Sequence, residues 1–120
     1  PTNNIDALLP FYRDGLGLAV LTGFADHDGF NGIMLGMPGA PWHLEFTEAP
    51  NHVAPPAPSE DHLLVLYLPD AAEWQAACAR IEATGLAPVK AFNPYWDIVG
   101  RTYQDPEGYR VVLQQQEWPL

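Results

Sequence analysis

Cysteine is nearly absent from this chain. Cys78, one residue in 120, cannot make an internal disulfide. That excludes a disulfide-stapled secreted scaffold and favours a reducing, cytoplasmic setting. Basic residues are scarce too: five Lys+Arg stand against fifteen Asp+Glu, a formal net charge of −10. Nucleic acid and anionic membrane surfaces both require a basic footprint, so neither is expected as a partner. The long-range field favours a cationic ligand instead. No apolar run approaches a bilayer span, and no signal-peptide pattern opens the chain. Phosphate-binding glycine loops, nucleophilic-serine motifs and CxxC pairs are all missing, which removes the enzyme classes that depend on them.

What is present is enough for a real core. Hydrophobic residues make up 48% of the chain and aromatics 12%, which argues against disorder and for one domain over residues 1–120. Thirteen prolines and ten glycines fall mostly at punctuation points, Pro38–Pro41 and Ala49–Pro58 among them. The stretch 49–59 (APNHVAPPAPS) is too rich in proline for a helix or a central strand and reads as a linker. It separates a first module, 1–48, from a second, 60–120.

Periodicity places the elements. Asn3-Asn4 offer caps for a helix whose inner residues are Ile5, Leu8, Leu9 and Tyr12, ended by Gly15 and Gly17 and bent at Pro10. Strands are expected at Leu18–Ala25, Phe30–Met37 and Trp42–Thr47. In the second module His62–Leu68 reads as a buried strand. A helix follows, capped by Asp70, with Trp74, Ala77, Cys78 and Ile81 inward and Gly85 at its end. Strands are then expected at Leu86–Ala91, Gly100–Gln104 and Tyr109–Gln115, the last two joined by the turn Asp105–Gly108.

The two modules repeat one another. Gly17-Leu18-Ala19-Val20-Leu21 overlies Gly85-Leu86-Ala87-Pro88-Val89 at a shift of 68 residues, and Trp42–Phe46 overlies Tyr109–Leu113 at a shift of 67. This register pairs Glu45 with Val112 and pairs His62 with a position before Pro1. The second module reads strand, helix, strand, strand, strand. The first reads helix, strand, strand, strand, so a strand before Pro1 is expected to complete it.

Gly100–Leu113 (GRTYQDPEGYRVVL), the helix Asp6–Leu18 with its Phe11-Tyr12 and Leu16-Gly17-Leu18, and His62 at the head of a strand together resemble the vicinal oxygen chelate (VOC) superfamily. This is the glyoxalase, bleomycin-resistance and extradiol-dioxygenase fold. WHLEF, NPYWD and DPEGYRVVL are similar to a poorly characterised bacterial glyoxalase-like subgroup. The resemblance implies an α+β fold of two βαβββ modules, with curled, mixed half-barrel sheets and the helices outside. It also implies a homodimer with a small-molecule cleft. Metal-using members draw one ligand from each of the first, fourth, fifth and eighth of their eight strands. Carried over, the fourth-strand carboxylate falls on Glu45, the fifth-strand histidine on His62 and the eighth-strand carboxylate on Val112.

Glu45 is the one candidate catalytic group. It alternates with His43 and Thr47, opposite Trp42, Leu44 and Phe46, so the polar set is expected to face the cleft. A carboxylate there suits a base, a metal ligand or a partner for a cation; the bland alternative is a solvated edge residue. His62 is either a ligand or an ordinary structural histidine. Tyr95 and Trp96 either wall a pocket or plug the core. Arg101 holds an anion or pairs with a nearby carboxylate. Gln114 shares the face of Val112 and adds a weak amide oxygen. Cys78 belongs to the core.

Two functions remain. In the first, a small organic, possibly cationic, ligand binds among His43, Glu45, His62, Tyr95, Trp96, Arg101 and Gln114 with no cofactor. In the second, a lyase, isomerase or dioxygenase uses a divalent Zn, Ni, Fe or Mn ion held by Glu45, His62 and a ligand upstream of Pro1.

Overall fold

The structure, a computed structural model, describes residues 1–118. Its first helix starts where the sequence places it: the Asn4 side chain accepts from the Ala7 N–H. Helix α1 spans Ile5–Leu9 and runs straight into a π-helical turn over Pro10–Gly15, closed by the Leu16 N–H on the Phe11 carbonyl at 2.9 Å. Proline removes an N–H and crowds the preceding turn. The helix widens there instead of stopping.

Strands β1 (Ala19–His27), β2 (Phe30–Gly36) and β3 (Leu44–Glu48) form an antiparallel sheet in the order β1-β2-β3. The β1–β2 turn carries Asp26, Asp28 and Gly29 at positive φ. The proline-rich segment after β3 carries no helix or strand. It is pinned midway by a reciprocal pair, Asn3 Nδ2 to the Ala54 carbonyl and the Ala54 N–H to Asn3 Oδ1.

The second sheet has the order β4-β6-β5. Strand β4 (Leu63–Tyr67) is parallel to β6 (Arg110–Gln114), and β5 (Gly100–Gln104) is antiparallel to β6. Helix α2 (Ala71–Ala83) lies between β4 and β5 in the chain, capped by Asp70 accepting from the Glu73 N–H. The strand expected over Leu86–Ala91 shrinks to a single bridge, Val89 to Thr102. Pro88 can donate no ladder hydrogen bond, and this limits the pairing.

The core lies between the helices and one face of each sheet. Leu8, Phe11 and Tyr12 of the first helix meet Cys78 and Ile81 of α2 above Tyr103, Val111 and Leu113. Gly15 lets the helices close up: a Cβ there would stand 3.0 Å from Ile81 Cγ1. Leu44 and Phe46 pack on this core, and the Phe46 ring lies 4.5 Å from that of Tyr12. The apolar residues of β3 thus face the helices as the alternation predicted, although Trp42 stays 42% exposed. No helix among the described residues is long and apolar enough to cross a membrane.

Candidate ligand-binding cleft

Sheet alternation decides what each site candidate can reach. On β3, Glu45 points away from the helices and is exposed, and His43 Nε2 lies 3.8 Å from Glu45 Oε2. The pair forms a polar edge beside Leu44 and Phe46.

His62 lies one residue ahead of β4, and its Nδ1 is 3.1 Å from Ser59 Oγ. Glu45 and His62 border the same hollow, about 430 Å3, in the gap between β3 and β4. Tyr12, Phe46, Leu63 and Asp105 also line it. The strand register qualifies that meeting. Val65 pairs with Val112, and Leu63 with Arg110. The repeat matches Val112 to Glu45, so the equivalent face of the second sheet carries Leu63, Val65 and Val112. His62 falls one residue out of step with that face.

The other candidates are placed elsewhere. The segment Asn93–Asp97 forms a 3₁₀ turn over β5, with the Asn93 side chain accepting from the Tyr95 N–H. A Cβ on Gly100 would run into Gln114 Oε1 and stand 2.6 Å from the Trp96 carbonyl oxygen, so this turn covers the very face that holds Val112 and Gln114. Tyr95 and Trp96 therefore roof the second sheet. Tyr95 is half exposed and reaches Gln116 through its hydroxyl at 3.4 Å, whereas Trp96 borders a separate hollow with Asp61 and Phe92. Gln114 is fully buried and donates through Nε2 to Gln116 Oε1 at 3.0 Å.

Arg101 lies on the opposite side, against α2. It pairs with Glu82 at 3.1 Å and lies over the Trp74 ring at 4.9 Å. An odd-numbered β5 residue faces away from Thr102 and Gly100, on the helix side of the sheet. Its carboxylate partner is Glu82, while the nearby Asp97 accepts from the Ala91 N–H. Cys78 is buried, and that burial pushes its thiol pKa up, the profile of a core residue.

Sequence reasoning missed one pair that lines the hollow. The Tyr12 hydroxyl donates to Asp105 Oδ2 at 2.6 Å, and Asp105 Oδ1 accepts from the N–H groups of Glu107 and Tyr109. Burial first, and then the Asp105 charge, push the Tyr12 phenol well above its ordinary pKa. The pair locks the last turn to the first helix. Only the recurrence of Tyr12 on the helix's inner face hinted at it.

As a metal site the described residues fit poorly. No three His, Cys, Asp or Glu side chains converge among them. Zinc, iron and nickel generally take three or four protein ligands, whereas the matched positions here offer the Glu45 carboxylate, the His62 imidazole one residue out of step, and the hydrocarbon of Val112.

Two family models match the chain, the YycE-like N-terminal domain over residues 1–47 and the YycE-like C-terminal domain over residues 61–115. The protein YycE of Bacillus subtilis (strain 168) is 40% identical over 113 residues, 94% of this chain and 81% of YycE. A crystal structure of B. subtilis YycE, described as of unknown function and of glyoxalase/fosfomycin-resistance type, superposes with a TM-score of 0.91 at 38% identity. It covers 99% of this chain and 87% of that one. More distant likenesses concern the fold alone. The fosfomycin resistance protein FosX of Listeria monocytogenes, solved with Mn(II) and a dihydroxypropylphosphonic acid, gives a TM-score of 0.70 at 11% identity, covering 97% of this chain and 86% of FosX. TnmS3 of Streptomyces sp. CB03234, an antibiotic binding protein, gives 0.65 at 23% identity, covering 98% and 90%.

Proposed function

This chain belongs to the YycE-like family, within the vicinal oxygen chelate fold of glyoxalases and fosfomycin resistance proteins, and from that premise we propose that it binds a small organic ligand without a complete metal site. The observation that carries the reading is the asymmetry of the two matched strands: Glu45 is exposed on β3, and its counterpart Val112 is fully buried on β6 beside Val65. FosX shows that the fold can hold a metal with a phosphonate, and TnmS3 that it can bind an antibiotic. The donor set here favours the second mode. Glu45 is the anchor, His43 stands beside its carboxylate at 3.8 Å, and His62 borders the opening. A carboxylate at an apolar rim in a chain of net charge −10 selects a basic or cationic ligand. Tyr95, Trp96, Arg101 and Gln114 do not line this hollow. The reading includes a homodimer, supported by the exposed apolar Val20, Leu21 and Phe30 on the β1–β2 hairpin.

Titration of the chain with a panel of basic heteroaromatic drugs tests this. Saturable binding is expected, weakened about tenfold by Glu45→Gln, about 1.4 kcal/mol, with the melting temperature unchanged. One equivalent of tightly bound divalent metal per chain, found by elemental analysis of untagged protein, would replace this reading with a metal-dependent isomerase, lyase or dioxygenase.

A further inference from the structure

The hollow beside Trp96 is distinct from the one at Glu45, although Leu63 borders both. It measures about 270 Å3, and Glu60, Asp61, Phe92 and Asn93 complete its lining. Its two aromatic walls are held in place before anything enters. Asp97 Oδ1 accepts from the Ala91 N–H at 3.2 Å and so closes the loop that carries Phe92 and Trp96. Within the loop Asn93 Oδ1 accepts from the Tyr95 N–H, and Pro94 fixes the backbone that follows. The Tyr95 ring braces Trp96 edge-on, with centroids 4.9 Å apart. Walls ordered in advance lose little freedom when a ligand binds. Phe92 is a large apolar side chain, yet it is 70% exposed.

The charges around this hollow are unequally answered. Glu60 Oε1 faces Arg110 Nη2 at 3.5 Å. That guanidinium is buried and turned inward, with Nε on Gln104 Oε1 and Nη1 on the Lys90 carbonyl. Asp61 donates through its N–H to Ser59 Oγ, and its carboxylate takes no hydrogen bond or ion pair among the described residues. A cation in the hollow thus meets one uncommitted carboxylate and two aromatic rings. It meets few open acceptors, because Asn93 Oδ1 and Glu60 already have partners. A primary ammonium carries three N–H donors, and any left bare against an apolar wall is costly. A quaternary ammonium has none to satisfy. It draws its attraction from the ring faces and from the counter-charge. Drug-sized ligands take pockets of about 300–1,000 Å3, so this hollow suits a head group rather than a whole drug.

We propose that this hollow is a second binding site, for the quaternary ammonium group of a small molecule. Phe92 and Trp96 are its walls and Asp61 its counter-charge. The site stands apart from the ligand reading at Glu45, and either can fail alone.

The test is a residue-resolved NMR titration of the whole chain with tetramethylammonium chloride and, separately, with methylammonium chloride, both at constant ionic strength. Tetramethylammonium is expected to give saturable shifts at the Trp96 indole N–H and at the amides of Asp61 and Phe92. Methylammonium is expected to bind about tenfold more weakly. Phe92→Leu and Asp61→Asn should each weaken tetramethylammonium binding by about tenfold. Both side chains are exposed, so the melting temperature should stay unchanged in each variant. Equal affinity for the two cations overturns the proposal. So do shifts that never saturate, and so does undiminished binding in Phe92→Leu. Saturable shifts centred on His43 and Glu45 overturn it as well, because the cation then occupies the first hollow. The reading at Glu45 would survive that result.

Discussion

Strands β3 and β6 hold matching places in the two halves, yet all five residues of Arg110–Gln114 are buried, while Glu45 within Leu44–Glu48 is exposed and its neighbours half-buried. The difference traces to what lies on the far face of each sheet. The second sheet is roofed by the Asn93–Asp97 turn, whose Trp96 carbonyl stands over Gly100, so a charge at the residue matching Glu45 would be buried without a partner, and that residue is Val112. The first sheet has no such roof among the described residues, and its free face keeps His43 and Glu45. A duplicated fold can thus bury one copy of a strand and leave the matching face of the other open.

The reciprocal exchange is the strongest way to break that comparison. Val112→Glu places a carboxylate in a fully buried, unpaired site and is expected to cost about 3–5 kcal/mol, read by denaturant unfolding. Glu45→Val should change stability by no more than about 0.5 kcal/mol. Similar costs for the two would mean that the sheets are equally buried.

The roof itself is probed at Gly100. Gly100→Ala pushes a methyl group against Gln114 and the Trp96 carbonyl, and the expected loss is about 2–3 kcal/mol. A neutral result would show that the Asn93–Asp97 turn is not held against the sheet.

A smaller effect belongs to the Tyr12–Asp105 bond, which ties the first helix to the last turn and so joins the halves. Tyr12→Phe leaves Asp105 short of a donor and should cost about 1–2 kcal/mol near neutral pH. It should also soften the alkaline limb of the stability curve. The folded Tyr12 phenol holds its proton well above the ordinary tyrosine pKa of about 10. Above that pH the unfolded chain binds fewer protons than the folded one, so stability falls as pH rises. Tyr103, likewise pushed up by burial, keeps its own share of that fall in the variant. Unfolding curves between neutral pH and pH 11 on both proteins measure the difference. Coincident curves would remove Tyr12 from the account.

Much of the fold was legible in the residues. Both helix starts, a distortion at Pro10, the Asp105–Gly108 turn and all six strands followed from caps, prolines, glycines and period-2 alternation, because these are local preferences; that the distortion is a π-helical turn did not. The apolar side of β3 was legible for the same reason. The strand over Leu86–Ala91 was overread, since alternation says nothing about whether a partner edge will accept a segment containing Pro88.

The site was less legible, for a different reason. Alternation ties a residue to one face of its own strand, but it does not say which face of which sheet will be covered. The sequence alone determined that Glu45 and Val112 are mates in a repeat and that one of them cannot carry charge. Only tertiary structure decided that Arg101 turns to Glu82 and Trp74, that Tyr95 and Trp96 form a roof, and that His62 falls one residue out of step with Val65. Each depends on packing between elements far apart in the chain, where burying apolar area outweighs the preference of any single residue.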